Sequence, residues 1–266
     1  MKSPQRAIIA LIMAMILGGV FACWRDREPS LHGKPLSQWI DKYYLLRTAG
    51  GSGAARDDSA KEAREAVLKI GTNAIPALLD RVRTRDSVLE TRLMLWLWQK
   101  NLVQNGRPRT ETTRNRADWG FSILGPLGEP AIPSLVAALT DQDPGVRATA
   151  ARCLGHIGPK AESAIPAILP LLEERNLGIP ILSAMDALRE IHRRPDLVVP
   201  QMMAFLNGER APWNYSVPAI DVLRAYGADA APALPAIKDF LNHPESDKRS
   251  AADSAITFIE TRTNGP

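Results

Sequence analysis

Five apolar-proline pairs recur along this chain: Ile75-Pro76, Ile132-Pro133, Ile165-Pro166, Val199-Pro200 and Leu234-Pro235, the last four spaced 33, 34 and 35 residues apart. A period of this size limits the fold more than any other feature, because each unit is then one supersecondary element repeated along a stack. The residues after each proline stay in phase. Two positions on stand Leu78, Leu135, Ile168, Met202 and Ile237; six positions on stand Val82, Leu139, Leu172, Leu206 and Leu241. Positions four apart share one face of an α-helix. The chain has 21 prolines, which would argue against helix if they fell inside one. In the first turn of a helix the missing N–H has no partner to lose, so these prolines start helices.

A second periodic segment precedes each pair. Ala151, Leu154 and Ile157 precede Pro166; Met185, Leu188 and Ile191 precede Pro200; Ile220, Leu223 and Tyr226 precede Pro235. Val67 and Ile70 before Pro76, and Leu124 and Leu127 before Pro133, follow the same logic on a shorter turn. Gly71, Gly128, Gly158 and Gly227 are expected to cap these first helices, since a helix end favours glycine in the left-handed region. Ser59 with Glu62 reads as a capping box opening the first repeat. Asp143-Pro144 supplies an N-cap and a proline at the first helical position. Each unit is therefore a helix pair of about 34 residues, which buries its apolar face only by stacking on its neighbours. Residues 248–262 form one further helix with Ala252, Ile256 and Ile259 facing inward, capping the C-terminal end. The expected fold class is all-α, a solenoid of about five helix pairs with a C-terminal capping helix.

The pattern resembles HEAT repeats, especially the short bacterial kind seen in phycobilin lyases. Asp141-Gln142-Asp143-Pro144-Gly145-Val146-Arg147 is similar to that family's inter-helix turn with its Asp and Arg, and residues 152–169 are also close to the family pattern. The likeness covers residues 59–262. The fourth repeat departs from it, with Arg193-Arg194-Pro195 where a glycine turn is usual. Arg27-Glu28-Pro29 and Gly33-Lys34-Pro35-Leu36-Ser37 with Trp39 resemble a juncture of membrane-anchored bacterial HEAT proteins. The resemblance implies a HEAT-type α-solenoid with an extended binding surface.

The N-terminus carries a different signal. Lys2 and Arg6 precede an uncharged, mostly apolar run over residues 7–22, and Arg25, Asp26, Arg27 and Glu28 end it. A basic start followed by an apolar run is what export machinery reads, so a hydrophobic helix is expected to precede the solenoid. The run could stay as a membrane anchor, be cleaved after Ala22, or be lipidated at Cys23, where Val20-Phe21-Ala22-Cys23 resembles a bacterial lipobox with Phe21 a poor fit. The anchor is favoured: a single-pass helix with Lys2 and Arg6 inside and the solenoid outside the cytoplasm. Cleavage would leave the protein periplasmic or secreted. The expected organisation is a signal or anchor segment at 1–24, a juxtamembrane helix and linker at 25–58, and the solenoid at 59–266. Within 25–58, residues 36–46 read as a short helix with Leu36, Trp39, Ile40 and Tyr43 on one face, and 49–58 as a linker rich in glycine. The first two repeat marks stand 57 residues apart, which implies an insertion over 88–116: an apolar helix at 88–103 and a basic loop at 104–116.

Candidate sites are few. Arg107, Arg109, Arg114 and Arg116 concentrate charge in that loop, where they could bind an acidic partner or simply be solvated. Trp213 and Tyr215, in the turn between the fourth and fifth repeats, could anchor a partner or pack beneath the turn. Of Trp96 and Trp98, at least one is expected in the core, since residues two apart point to different sides of a helix. Cys153 and His156 form a Cys-x-x-His pair with no second pair nearby, whereas a zinc site needs about four ligands. Arg81, Thr140, Glu173, Asn207 and Lys238 are placed by spacing near the second-helix face or its rim. No metal, cofactor or catalytic constellation is expected: the sequence lacks a nucleophile elbow, a His-Glu-x-x-His helix and a glycine-rich phosphate loop.

The expected function is a non-enzymatic scaffold for protein–protein interaction at the bacterial cell envelope, with a protein partner and with the membrane contacted through the N-terminal segment. An enzyme or enzyme subunit of the HEAT-like lyase type is the first alternative. The second is nucleic-acid binding through the basic loop. Nucleic acid is not the expected partner, because the net charge of +4 falls to +2 without Lys2 and Arg6 and no basic stripe repeats along the helices.

Overall fold

The computed structural model describes residues 28–48, 54–85, 96, 99, 109–173, 178–206 and 215–263. The N-terminal apolar segment, Cys23, Arg107, Trp98, Asn207 and Trp213 lie outside these residues. The chain divides into two compact units, Met1–Ala77 and Leu78–Pro266.

The first unit opens on a two-stranded hairpin. β1 (Ser30–Leu31) pairs antiparallel with β2 (Lys34–Pro35), with Ser30 opposite Pro35 and Leu31 opposite Lys34. His32 (φ 51°) and Gly33 (φ 72°) make the two-residue turn, both left-handed as in a type I′ turn, whose twist matches that of the strands. α1 (Leu36–Thr48) follows directly. The Glu28 carboxylate accepts from the Ser37 amide and hydroxyl at its start, placing negative charge where the helix dipole favours it. Leu36, Trp39 and Ile40 are buried, while Tyr43 is half-buried. The Trp39 indole donates to the Leu31 carbonyl at 3.2 Å and so ties helix to hairpin.

α2 (Ala54–Ile70) packs against α1 and buries Ala60, Ala63, Ala66, Val67 and Ile70. It begins five residues ahead of Ser59, so Ser59 and Glu62 lie within the helix and do not cap it. The expected linker is helical from 54. Ala54, Ala55 and Arg56 are good helix formers, and Arg56 Nε donates to the Leu46 carbonyl at 2.8 Å, answering a carbonyl near the end of α1. Gly71 (φ 58°) opens a 3₁₀ turn, Gly71–Ala74, that leads into α3 (Ile75–Val82).

The second unit is a HEAT-like stack. Repeat two is α4 (Arg109–Leu124), a 3₁₀ segment Gly125–Ala131 and α5 (Ile132–Ala138). Repeat three is α6 (Pro144–Ile157), a 3₁₀ segment Gly158–Ala164 and α7 (Ile165–Ile168), which tightens to 3₁₀ over Leu169–Glu173 because Pro170 has no N–H for the α-ladder. Repeat four is α8 (Gly178–Ile191) and α9 (Pro195–Leu206). Repeat five is α10 (Ser216–Tyr226), a 3₁₀ segment Gly227–Ala233 and α11 (Leu234–Lys238), followed by a 3₁₀ turn and α12 (Ser246–Thr263). First helices pack in order, α4 on α6, α6 on α8 and α8 on α10, with α12 against α10. α6 and α8 approach so closely that a Cβ on Gly155 would lie 2.9 Å from Ala187 Cα.

The core follows the repeat. Leu78, Leu135, Ile168, Met202 and Ile237 are all fully buried, as are Ala151, Leu154 and Ile157 on α6. Val82, Leu139, Leu172 and Leu206 are buried too, but Leu241 is 38% exposed in the fifth repeat. On α12, Ala252 and Ile259 face inward as expected, joined by Ala255, while Ile256 is half-buried.

Three expectations about the turns change. In repeat two the left-handed residue is Gly125 (φ 52°), not Gly128. The helix therefore ends at Leu124, Phe121 and Leu124 face inward, and Leu127 is 48% exposed. Gly128 is needed for space instead, since a Cβ there would meet Ile157 at 3.0 Å. In repeat four His192 (φ 49°) stands eight residues before the proline, where Gly125, Gly158 and Gly227 stand in their repeats, and Arg194 (φ 54°) is left-handed as well. α9 then begins at Pro195, so Pro200 lies inside it and not in its first turn. Finally, residues 109–116 belong to α4 and not to a loop. Trp96 and Gln99, the described part of the expected helix at 88–103, are helical, and Trp96 is 52% exposed. One described helical run, Thr112–Ala138, is long and apolar enough to cross a membrane. It is repeat two itself, turned at the left-handed Gly125.

Candidate functional site

Each second helix turns one set of positions inward and another outward. Counting from the proline, the residue before it and those two, five and six after it face the core in repeats one to four, whereas in repeat five only Ile237, two after Pro235, is fully buried. The proline and the residues one, three and four after it face out, a single arc of helix surface. On α5 these are Pro133, Ser134, Val136 and Ala137, all exposed or half-buried. The run Ile165–Ile168 with its 3₁₀ extension presents Pro166, Ala167, Leu169 and Pro170. On α9 the same positions hold Pro200, Gln201, Met203 and Ala204. Three successive repeats thus present no charged side chain on this face. Charge returns at the same positions with Asp80 on α3 and with Lys238 and Asp239 in repeat five, where Lys238 pairs with Glu260 at 2.8 Å.

The first-helix surface contrasts with it. Arg152 and His156 on α6, Asp186, Arg189 and Glu190 on α8, and Asp221 and Arg224 on α10 all reach solvent. The ion pairs Asp186–Arg189 at 3.2 Å and Asp221–Arg224 at 3.4 Å run along single helices. In repeats three and four these charges stand on the first helices, while the outward positions counted from the proline on the second helices carry none.

The inward rule also explains Arg81. It stands five after Pro76, where the later repeats carry Ala138, Leu171 and Phe205, and it is 1% exposed. It therefore lies in the core and not on the second-helix face. Thr140 and Glu173 are exposed at the ends of their second helices, and Lys238 is exposed on α11.

The arginine cluster separates. Arg109 opens α4, and Arg116 lies half-buried further along it. Arg114 is turned inward: its guanidinium pairs with Asp143, and its Nε donates to the Thr84 carbonyl at 2.9 Å. Asp143 meanwhile caps α6, accepting from the Gly145 amide at 2.7 Å. Beside it Arg85 pairs with Asp141 at 2.7 Å, and Arg147 donates to the Asp141 carbonyl at 2.6 Å. The two aspartates of the turn thus join it to Arg85 and Arg114 earlier in the chain, while Arg147 closes the turn on itself. Tyr215 is half-buried just before α10, edge-on to Phe205 with ring centroids 6.5 Å apart.

A polar cluster that the sequence reading did not single out joins α4 to α6. Asp118 accepts from His156 at 3.1 Å and pairs with Arg152 at 3.3 Å, and Arg152 reaches the Ser183 hydroxyl at 3.3 Å on α8. Burial pushes the Asp118 carboxyl up, but the His156 hydrogen bond and the Arg152 charge outweigh it, leaving it below the ordinary aspartate range. The available signal was register: Asp118 stands fifteen before Pro133, where later repeats place Ala151, Met185 and Ile220. Cys153 is a free, fully buried thiol, and burial raises its pKa well above the ordinary value. It is therefore held in the unreactive form. Among the described residues no three His, Cys, Asp or Glu side chains are placed to hold a metal.

Residues 122–189, from the end of α4 into α8, match the family model of HEAT repeats. Sequence and fold agree there on a HEAT-repeat architecture. A comparison with curated proteins finds no match. The crystal structure of an engineered protein is similar at 17% identity and a TM-score of 0.42, covering 83% of this chain and 97% of that one. A likeness that low carries no argument about function.

Proposed function

We propose that this protein is a non-enzymatic scaffold that docks a protein partner on the outer face of its second helices, held at a bacterial cell envelope by its N-terminal segment. The observation that carries the reading is the run of uncharged, largely apolar positions across α5, α7 with its extension, and α9. Interface centres are depleted of charge in just this way, while rims are polar. The first helices of repeats three to five carry exposed or half-buried charges instead, which leaves the uncharged positions as a distinct surface. HEAT repeats over residues 122–189 are consistent with an interaction role. Lys2, Arg6 and the apolar run at 7–22 support the envelope location.

Photo-cross-linking in cells tests the docking face. A cross-linking residue at Val136 or Met203 of the full chain is expected to capture one recurrent envelope protein, and Asp186 or Asp221 replaced in the same way is not. Ala137→Asp should abolish the adduct at Val136. Equal capture from both faces, or capture untouched by Ala137→Asp, refutes the assignment. Location is tested separately. Protease added to cells with a permeabilised outer barrier should digest the solenoid while cytosolic proteins survive; full protection would place it inside.

A further inference from the structure

We propose that the end of the stack formed by α11, its 3₁₀ turn and α12 is a second docking surface, and that its occupant is a short α-helix of another protein, seated where a second helix paired with α12 would stand. This surface shares no residue with the outward face of repeats two to four and does not rest on that reading.

Repeat four shows how a second helix is covered inside the stack. The residue before its proline and those five and six after it are Val199, Phe205 and Leu206, all buried. α9, which carries them, packs on all three parts of repeat five: α10, the 3₁₀ segment Gly227–Ala233 and α11. Repeat five has the same positions without the same cover. Leu234 and Phe240 are half-buried and Leu241 is 38% exposed. Among the described residues, α12 is the one element beyond repeat five that packs on it.

α12 itself stands as the first helix of a further pair. It packs on α10 as α10 packs on α8. Yet it buries only Ala252, Ala255 and Ile259, against eight residues on α8. A first helix inside the stack is covered from two directions, by the preceding repeat and by its own second helix. α12 has the first cover alone. The side left open is the one turned toward α11. Glu260 pairs with Lys238 of α11 at 2.8 Å, and Ile256, four residues before it and so on the same face, is half-buried. Leu234, Phe240 and Leu241 from one helix pair and Ile256 from the next thus border the place of the absent cover.

The repeat also says what fits there. The corresponding place against repeat four is taken by residues 227–242, a 3₁₀ turn and a helix started by a proline, with Ile237 fully buried. An occupant needs the same features: a short helix with apolar side chains about one turn apart. Its backbone groups are bonded within itself, so docking strips no water from them. An extended segment would lose that water, and the helical and 3₁₀ backbone of α11 and α12 offers it no strand edge. The ion pair of Lys238 and Glu260 supplies a polar rim.

The test uses the full chain in detergent micelles. The probe is a fluorescent peptide of residues 227–242, the segment that fills the equivalent place against repeat four, and the comparator is the same peptide with Ile237→Asp. Fluorescence anisotropy should show the probe binding at least about tenfold tighter than the comparator. Leu241→Glu in the full chain should weaken the probe by a similar factor and leave the melting temperature unchanged, since Leu241 already reaches solvent. Ala137→Asp, on the outward face of repeat two, should change neither. A photo-cross-linking residue at Leu241 in membrane extracts should give an adduct to an apolar-faced helix of a second protein, and the probe should displace it. Equal binding of the two peptides, or binding that Leu241→Glu leaves untouched, overturns the proposal. So does the lack of a displaceable adduct at Leu241. An adduct to a second copy of this chain, with sedimentation showing a dimer that Leu241→Glu dissolves, overturns it too, because the occupant would then be this protein itself. The cross-links expected at Val136 and Met203 are read separately, so either surface can fail without the other.

Discussion

Asp118 occupies a position that repeats three to five fill with Ala151, Met185 and Ile220. A carboxylate at an inward position is costly unless it is paired, and here His156 and Arg152 from the next first helix supply the partners at 3.1 and 3.3 Å. The folded carboxyl is held below the usual aspartate range, so folding favours its charged form. Its contribution is therefore present above the unfolded value, about 3.9, and is lost as the pH falls through the lower folded value. Asp118→Asn should melt below the parent at neutral pH, and the gap should narrow as the pH is lowered through about 4. Melting curves from neutral to acid pH check this, and a gap that stays constant would show that the ion pairs contribute nothing. Arg114 makes the complementary point. In sequence it is one of four arginines in a basic stretch, and only the fold brings it to Asp143, 29 positions away. No local pattern announces a pair that distant.

At the scale of the element, Asp143 has two tasks. Its side chain caps α6 through the Gly145 amide, and it receives the Arg114 guanidinium from α4. The two can be separated. Asp143→Asn keeps a good capping oxygen and loses the charge, whereas Asp143→Ala loses both, for about 1–3 kcal/mol in total. Chemical unfolding should rank the parent above Asn and Asn above Ala. In an Arg114→Ala background the step from Asp to Asn should shrink, because the partner is already gone. The cap was legible because Asp-Pro before an apolar run is a local signal. The prolines and their phased leucines were legible for the same reason, and they placed the inward face of every second helix. Boundaries governed by tertiary contact were not. Ser59 and Glu62 have the right spacing for a capping box, but Ala54–Arg56 extend the helix and the Leu46 carbonyl secures its start. Gly125 and Gly128 are equally plausible caps in sequence; only the packing of Phe121 and Ile157 against Gly128 distinguishes them. His192 could not be recognised as a cap because a non-glycine residue seldom takes a positive φ.

For the whole molecule the question is how far one repeat supports another. In a stack each repeat is held chiefly by its neighbours, so damage at one end should spread only as far as those contacts carry it. α12 closes the fifth repeat with Ala252, Ala255 and Ile259 fully buried, packed on α10 and on the 3₁₀ segment Gly227–Ala233. Ile259→Asp would remove apolar contact and bury a carboxyl there, a cost borne by protonating it or relieved by releasing the helix. Hydrogen exchange on the full chain should then show protection lost in α12, weakened in α10 and α11, and retained in α6 and α8, where Gly155 lets the helices meet at close range. The consequence for function is specific. The proposed docking face spans repeats two to four, so the cross-link expected at Val136 should persist in the Ile259→Asp protein. Equal loss of protection from α4 through α12 would mean that the second unit unfolds as one body. The cross-link at Val136 would then report the stability of the whole stack and not the integrity of the repeats that form the proposed face.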